Sequence, residues 1–314
     1  MSEARALGRS GLTTMPLVLG GNVFGWTADK AASFAVLDRF ADAGGTMVDT
    51  ADVYSAWAPG HAGGESEALI GEWLKASGKR MQIATKVGML PGEGGEKLAP
   101  ARIAAACDAS LKRLGVETID LYFAHQDDES VPQEDVLAAF AKLIDAGKVR
   151  ALGASNFSAE RLGSALEVAK REGLPRYEVL QPEYNLVSRD TFEGALQDLC
   201  VAESIGVVPY YGLASGFLTG KYRSKDDLGQ SVRGGRMGAL LEGKGAAVLA
   251  AMDAVATETG ASLAQIALAW LTAQPGVTAP IASATRVVQI DELVGAWDVV
   301  LSADQIERLT VAGA

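Results

Sequence analysis

The sequence predicts an α/β fold: a closed (β/α)8 TIM barrel with an N-terminal β-hairpin and extra C-terminal helices. Three observations support this prediction. About eight short apolar runs alternate with amphipathic helical stretches, and such alternation indicates a parallel sheet. A chain of 314 residues accommodates eight strand–helix units better in a closed barrel than in an open sheet. No Pro- or Ser-rich linker divides the chain, so we interpret residues 1–314 as a single barrel domain.

The predicted strands are short apolar runs, and several of them end in a polar residue. They are Val18–Gly20, Met47–Asp49, 83–86, Ile119–Ala124, 149–154, 179–181, 207–211 and 277–281. Parallel strands of a barrel end at the same face, where barrel enzymes keep their catalytic groups. Polar residues at these strand ends are therefore candidates for a shared site.

The predicted helices have apolar residues at helical spacing, as Phe34, Leu37 and Phe40 illustrate. Capping residues support the boundaries, with Ser158 preceding one helix and Gly147 closing another. The predicted ranges are 29–43, 66–76, Pro100–Leu114, 132–146, 158–171, 190–204, 245–259, 262–273, 287–297 and 302–312.

Two segments fall outside this alternation. Residues 6–12 contain glycine at a predicted turn and are interpreted as a small hairpin that closes the bottom of the barrel. Residues 212–243 form a Gly-rich loop that is too long to be a simple connection. We interpret this loop as an insertion that clasps a cofactor, with a disordered lid as the alternative.

The composition restricts the class of partner. The net charge is −11 and no long Lys/Arg run exists, which argues against nucleic acid or an anionic membrane as the main partner. No apolar stretch reaches 18 residues, so we expect no membrane span. Cys107 and Cys200 have neither CxxC nor metal-ligand spacing, which predicts buried free thiols, a cytoplasmic protein and no metal site.

Four polar residues near the ends of successive strands form a candidate catalytic set: Asp49, Tyr54, Lys86 and His125. Tyrosine is a poor acid near neutral pH, but a neighbouring ammonium group lowers its pKa. Lys86 supplies that cation in this interpretation, Asp49 keeps it charged, and His125 hydrogen-bonds to a substrate carbonyl. The set predicts general acid–base catalysis. Taken singly, each residue has an ordinary structural explanation, such as a turn, a packing contact or a solvated side chain.

Further polar residues at strand ends predict a binding face for a nicotinamide ring. Ser155, Asn156 and Gln181 offer the donors and acceptors that a carboxamide needs, and Tyr210 offers a stacking surface. Ser155 and Asn156 alone are equally compatible with a turn. The set of cofactor contacts that we assign at the remaining strand ends comprises Gly21, Asn22, Ser283 and Thr285.

The expected dinucleotide is not held by a Rossmann domain, because no GxGxxG motif follows the first strand. The segment 212–221 instead combines several glycines with Lys221, a pattern suited to a pyrophosphate. Arg286 precedes a helix and is a candidate for a second phosphate, although it is also compatible with a solvated surface residue.

The sequence resembles the aldo-keto reductase superfamily, in particular bacterial members that are similar to potassium-channel β subunits. The matching motifs occur in the family's order at 5–12, 45–54, the strand ending at Lys86, 120–125, 153–157 and 218–222. The resemblance covers nearly the whole chain. It implies a barrel that binds NADP(H) across its mouth without a Rossmann domain. NAD(H) remains an alternative cofactor, because Leu293 stands where relatives often have asparagine.

The resemblance also implies individual roles. Tyr54 would be the acid/base, with Lys86 and Asp49 tuning it and His125 orienting the carbonyl. Ser155, Asn156 and Gln181 would hold the carboxamide, and Tyr210 would lie under the ring. The residues placed along the phosphates are Leu213, Ser215 and Lys221 at the pyrophosphate, and Arg286 and Gln289 at the 2′-phosphate. The sequence also departs from the family's usual residues at 126–128, after His125, and at Tyr211, after Tyr210. Neither departure changes one of the four catalytic candidates.

The substrate side is the least specified part of the prediction. Phe24, Trp26, Trp57 and Met89 lie on predicted mouth loops and are candidates for an apolar pocket, with packing inside the loops as the alternative. We predict an NADP(H)-dependent oxidoreductase that interconverts a small-molecule carbonyl and an alcohol. The alternative is a redox-sensing regulatory subunit that binds NADP(H) with little turnover.

Overall fold

Eight parallel strands form the barrel. In the computed structural model, which describes residues 3–231 and 234–314, the sheet order is β10-β3-β4-β5-β6-β7-β8-β9. The barrel strands are β3 Val18–Gly20, β4 Met47–Asp49, β5 Gln82–Val87, β6 Ile119–Ala124, β7 Val149–Ser155, β8 Tyr177–Gln181, β9 Gly206–Val207 and β10 Ile281–Ala282. A parallel bridge from Val207 to Val277 and a 2.8 Å hydrogen bond from Ile281 N to Pro209 O join the two ends of the sheet. The predicted (β/α)8 fold is confirmed.

The last two barrel strands are shorter than the sequence predicts. The predicted seventh strand, 207–211, is reduced to β9, and the predicted eighth, 277–281, to β10. In the rest of the two predicted strands, single bridges and isolated hydrogen bonds replace a regular ladder. Apolar patterning identifies a buried extended segment, whereas ladder length depends on pairing that the pattern does not contain.

The N-terminal hairpin closes the bottom of the barrel. Its strands are β1 Arg5–Ala6 and β2 Thr13–Thr14, which pair antiparallel. Leu7 and Leu12, at its tip, are 0% and 3% exposed and pack into the barrel interior. Gly8 adopts φ +57°, and a Cβ there would lie 2.4 Å from Glu178 O. Glycine therefore allows the hairpin to approach the barrel this closely.

The helices pack around the outside of the barrel. They are α1 Lys30–Asp42, α2 Glu65–Ser77, α3 Pro100–Leu114, α4 Gln133–Asp145, α5 Ala159–Glu172, α6 Ala195–Ala202, α7 Gly238–Leu241, α8 Lys244–Thr259, α9 Leu263–Thr272, α10 Val287–Gly295 and α11 Ala303–Ala312. Side-chain oxygens of Ser158, Ser262 and Ser302 accept N-cap hydrogen bonds, as N-cap residues do. The helix predicted from 190 begins only at Ala195, because turns occupy the preceding residues. The extra C-terminal helices α10 and α11 are present.

The residues 212–243 contain more structure than the sequence indicates. Short 3-10 helices span Ala214–Thr219, Lys225–Gln230 and Gly234–Arg236, and α7 follows them. Phe217 and Leu218 are fully buried, and the buried Tyr222 forms a 2.6 Å hydrogen bond between its hydroxyl and Ser231 Oγ. Positions 232 and 233 of this loop lie outside the described residues. Phe217, Leu218 and Tyr222 pack into the outer core, whereas Lys225–Gln230 has no buried residue.

Two apolar cores follow from the alternation of side chains along each strand. The larger core lies between strands and helices, and the smaller fills the barrel interior. The interior core comprises Leu7, Leu12, Val18, Met47, Ala84, Leu121, Phe123, Ala151, Val179, Val208, Ala279 and Ile281. Successive interior positions are two residues apart, so the next interior positions above this core lie at the C-terminal mouth.

Candidate active site

The four catalytic candidates occupy the layer directly above the interior core. Asp49 lies two residues after Met47, Lys86 two after Ala84, and His125 two after Phe123. Their strands β4, β5 and β6 are adjacent in the sheet. Tyr54 comes from the loop after β4, and its ring lies 6.0 Å from the His125 ring, centroid to centroid. The structure therefore brings all four side chains together at the barrel mouth.

Lys86 organises the site through its three N–H donors. Its Nζ donates to Asp49 Oδ2 at 2.7 Å, to Thr50 O at 2.8 Å and to the Tyr54 hydroxyl at 2.8 Å. An ammonium group has three donors, so its hydrogen-bonding capacity is fully used. The side chain is completely buried, and burial lowers the pKa of Lys86 while Asp49 opposes that change. The ion pair with Asp49 is what makes a buried lysine tolerable here.

Asp49 is held from both sides of the barrel. Its Oδ2 accepts from Lys86 and, at 3.3 Å, from the Tyr54 hydroxyl, while its Oδ1 accepts from Gln181 Nε2 at 2.8 Å. Gln181 ends β8 on the other side of the barrel. The sequence placed Gln181 at a carboxamide, whereas the structure commits its amide nitrogen to Asp49. No sequence motif indicates this contact, because the two residues are 132 positions apart.

The Tyr54 hydroxyl has a raised pKa, the reverse of the direction that the sequence predicts. Burial raises the pKa of Tyr54 well above its ordinary value, and the carboxylate of Asp49 adds to this effect. The sequence considered only the cation of Lys86, whereas burial and the hydrogen-bonded carboxylate of Asp49 act on the hydroxyl in the opposite direction. Tyr54 is therefore protonated at neutral pH.

His125 is a neutral imidazole in this environment. Burial lowers its pKa well below the ordinary value, and the positive charge of Lys86 adds to this effect. The side chain is 7% exposed, and its Nδ1 is buried with no hydrogen-bond partner among the described residues. A neutral imidazole carries one donor and one acceptor, so it can donate to a carbonyl oxygen without a charge.

A second hydrogen-bond network lies beside the four. Asn156 adopts φ +59°, donates from Nδ2 to His125 O at 2.9 Å and accepts from the Tyr210 hydroxyl at 2.9 Å. Ser155 Oγ donates to Gln181 O at 2.8 Å. A left-handed conformation at a non-glycine residue is uncommon and is found at functional sites. Hydrogen bonds thus link the four predicted carboxamide and ring residues to one another, and Asn156 joins them to the backbone of His125.

The predicted phosphate residues lie on the loop after β9 and at the start of α10. Tyr211, Ala214 and Ser215 all have positive φ, so the backbone is tightly turned here. Lys221 is exposed, and its Nζ lies 5.0 Å from the centre of the Tyr222 ring. Leu213 is half-buried against the core.

The other predicted cofactor residues lie at the ends of β3 and β10 and at the start of α10, where the chain is closely packed. Ser283 Oγ donates to Asn22 Oδ1 at 2.6 Å, which joins the ends of β10 and β3. Gly21 donates its N–H to Asp49 O at 2.7 Å, and a Cβ there would lie 2.9 Å from Ser66 Oγ. The start of α10 is exposed at Arg286, and Gln289 Oε1 accepts from the backbone N–H of Thr285 and Arg286 at 2.9 and 3.1 Å.

Two of the four candidate substrate residues, Trp26 and Trp57, cluster with Tyr54. The rings of Trp26 and Trp57 meet edge to face at 5.6 Å, and Trp57 lies 5.9 Å from Tyr54. Trp57 and Met89 are 47% and 40% exposed. Phe24 is completely buried in the outer core, so the structure does not bring it to the open mouth.

Other predicted features are also located by the structure. Cys107 and Cys200 are buried free thiols; a cytoplasmic location remains a prediction. Within 3–231 and 234–314, no group of three or more His, Cys, Asp or Glu side chains is arranged to hold a metal ion. None of the described helices combines the length and the apolar character that a membrane crossing requires.

The fold and the site define a class: a parallel barrel with a tyrosine, lysine, aspartate and histidine at its C-terminal mouth. The model of the aldo/keto reductase family matches residues 16–313. This chain belongs to the aldo/keto reductase family.

Individual relatives align with this chain over most of its length. An L-glyceraldehyde 3-phosphate reductase from Escherichia coli (strain K12) is 33% identical over 304 residues, covering 94% of this chain and 87% of the relative. A probable voltage-gated potassium channel subunit beta from Oryza sativa subsp. japonica is 34% identical, covering 98% and 95%. The aldo-keto reductase yakc from Schizosaccharomyces pombe, whose name carries the label NADP(+), is 32% identical, covering 91% and 83%.

Proposed function

We propose that this protein is an NADP(H)-dependent oxidoreductase that interconverts a carbonyl compound and an alcohol, with Tyr54 as the general acid/base. The observation that supports this most directly is the position of the Tyr54 hydroxyl, 2.8 Å from the buried ammonium of Lys86. Bound NADPH supplies the hydride. The chain itself has to orient the carbonyl and to provide one proton.

The proton chemistry follows from the charges of the site. Because the pKa of Tyr54 is raised, its hydroxyl is protonated at neutral pH and acts as the acid in carbonyl reduction. The tyrosinate that remains lies in contact with the Lys86 ammonium, which stabilises the new negative charge. His125 donates a hydrogen bond to the same carbonyl oxygen as a neutral imidazole. In alcohol oxidation, the tyrosinate form of Tyr54, stabilised by the Lys86 ammonium, would accept the proton of the alcohol.

The donor set beside Tyr54 fits a dinucleotide. Ser155, Asn156 and Tyr210 offer hydrogen bonds and a ring face for the nicotinamide, with Gln181 supporting them from Asp49. The residues proposed along the rest of the cofactor are Gly21, Asn22, Leu213, Ser215, Lys221, Ser283, Thr285, Arg286 and Gln289. Exposed cations near a tightly turned backbone suit phosphates. In this proposal, residues 212–243 act as the cofactor-clasping insertion of a single barrel domain.

The proposed substrate pocket is formed by Trp26, Trp57 and Met89. Trp57 packs edge to face against both Trp26 and the Tyr54 ring, and the side chains of Trp57 and Met89 are exposed on the loops after β4 and β5. Apolar walls with a few polar groups at one end are typical of small-molecule sites.

The test is multiple-turnover NADPH oxidation with a panel of aldehydes and ketones, run on the wild type and on Tyr54→Phe. General acid–base catalysis contributes about 10²- to 10⁴-fold, so kcat of Tyr54→Phe should fall by roughly that factor. Cofactor fluorescence quenching should still report binding. Tyr122→Phe is the matched control, because its buried hydroxyl faces away from the site and has no partner among the described residues. Near-wild-type turnover by Tyr54→Phe would contradict the assigned acid.

The similarity to a probable potassium channel subunit beta favours a second candidate, a regulatory subunit that holds NADP(H) with little turnover. The same assay separates the two functions. Tight cofactor binding without turnover on any carbonyl in the panel would support the regulator. Repeated turnovers would support the enzyme.

A further inference from the structure

A second layer of charged side chains lies directly behind the catalytic four. Asp52 and Glu67 are completely buried, and Arg102 is 6% exposed. Arg102 pairs with Asp52 at 3.1 Å, and Arg113 pairs with Glu67 at 2.6 Å. Buried charges are costly even when they are paired, so this layer is not explained by stability alone.

Arg102 connects two loops of the barrel mouth. Its side chain leaves the first turn of α3 and donates from Nε to Leu90 O at 3.0 Å, from one terminal nitrogen to Glu93 O at 3.4 Å, and from the other to Asp52 Oδ2. Asp52 belongs to residues 50–64, here called the Tyr54 loop. Leu90 and Glu93 belong to residues 88–99, here called the Met89 loop. A planar guanidinium with fixed donor directions can bind both loops at once.

The backbone of both loops is packed closely around this contact. A Cβ on Gly92 would lie 2.7 Å from a terminal nitrogen of Arg102. A Cβ on Gly63, which has φ +100°, would lie 2.8 Å from Asp52 O and 2.9 Å from Leu90 Cδ2. Glycine at these positions lets the Met89 loop fold over the guanidinium and lets the two loops touch.

We propose that Arg102 is a positioning residue that sets the spacing between the Tyr54 loop and the Met89 loop, and through it the geometry of the carbonyl pocket. The Tyr54 loop carries the proposed acid and Trp57, and the Met89 loop carries Met89, which the proposed function assigns to the substrate pocket. Reactant positions that shift by about 1 Å can cost roughly 10²-fold in rate. The kinetic part of this inference rests on the proposed function.

The kinetic test compares Arg102→Leu, Arg102→Lys and a matched control. Arg102→Leu should raise KM for the carbonyl and lower kcat, with a roughly ten- to hundredfold loss in kcat/KM. The dissociation constant for NADPH should stay unchanged. Arg102→Lys should recover part of the loss, since its ammonium can reach Asp52 but cannot bind both loops in the same way. The control is Arg176→Leu. Arg176 directly precedes β8, at the opposite end of the barrel, and its substitution removes a part-buried ion pair with Glu203.

Hydrogen exchange provides a readout that does not need turnover. Arg102→Leu should speed amide exchange in both the Tyr54 loop and the Met89 loop, while the hairpin at the barrel bottom keeps its wild-type rates. If the folded variant shows wild-type kinetics or unchanged exchange in these loops, the proposal is wrong. It is equally wrong if Arg176→Leu loses as much kcat/KM. A wild type without any carbonyl turnover would refute the proposed function, and hydrogen exchange alone would then decide the role of Arg102.

Discussion

The substitution Asp52→Asn tests the electrostatics of the buried charged layer. Burial, with the nearby charge of Glu67, raises the pKa of Asp52 from 3.8 to about 7, against the opposing effects of Arg102 and Arg113. The folded protein therefore retains a proton on Asp52 that the unfolded chain has already released between about pH 4 and pH 7. The stabilisation linked to this proton is fully present below the unfolded pKa and is lost as pH rises through the folded pKa.

The magnitude follows from the size of the shift. A difference of 3.8 to about 7 corresponds to about 4 kcal/mol, at about 1.4 kcal/mol for each pH unit. Asparagine has a similar shape and cannot titrate. The free energy of unfolding of Asp52→Asn, relative to wild type, should therefore increase by about 4 kcal/mol from about pH 4 to about pH 8.

Urea unfolding followed by tryptophan fluorescence, repeated across that pH range, measures the difference. Other titrating groups are common to both proteins and cancel in the comparison. Asp108→Asn is a control, because it removes an exposed carboxylate paired with Lys148, where solvent screening keeps the contribution small. A constant difference between Asp52→Asn and wild type, or one that favours the wild type as pH rises, would refute the reasoning.

Three further predictions follow from the geometry. Lys86→Met removes the cation beside the Tyr54 hydroxyl, so kcat should fall by about 10²- to 10⁴-fold in steady-state NADPH oxidation; an unchanged kcat would argue against this role. Lys221→Met should weaken NADPH binding and reduce its salt dependence in a fluorescence titration, and identical salt slopes would remove Lys221 from the phosphate site. Gly8→Ala should lower Tm by more than Gly11→Ala, since both have positive φ but only Gly8 would place a Cβ against backbone, 2.4 Å from Glu178 O. Equal Tm values would show that the hairpin moves freely on the barrel.

The barrel and the convergence of the four candidate residues could be predicted because their signals are local. Each strand is a short apolar run, and Asp49, Lys86 and His125 each stand two residues beyond an interior apolar residue. Residues two positions apart on a strand point to the same face, so this spacing alone predicts that the three side chains point to the barrel interior.

Contacts between distant segments could not be predicted in this way. The bond from Gln181 to Asp49 spans 132 positions, and the pair of Arg102 with Asp52 spans 50. Asp49 and Asp52 stand in the motif 45–54, but the sequence does not identify Gln181 and Arg102 as their partners. The pKa direction of Tyr54 was predicted wrongly for the same reason, since it depends on how burial and two opposite charges balance in the folded state.

The apolar plug below the catalytic layer has a consequence for the order of events during turnover. Leu7 and Leu12 close the floor, and the interior core above them consists of aliphatic and aromatic side chains among the described residues. Protons cannot hop through such a floor. In the proposed mechanism, the Tyr54 hydroxyl would therefore regain its proton through the barrel mouth, and a bound cofactor or substrate there would control when the next cycle begins.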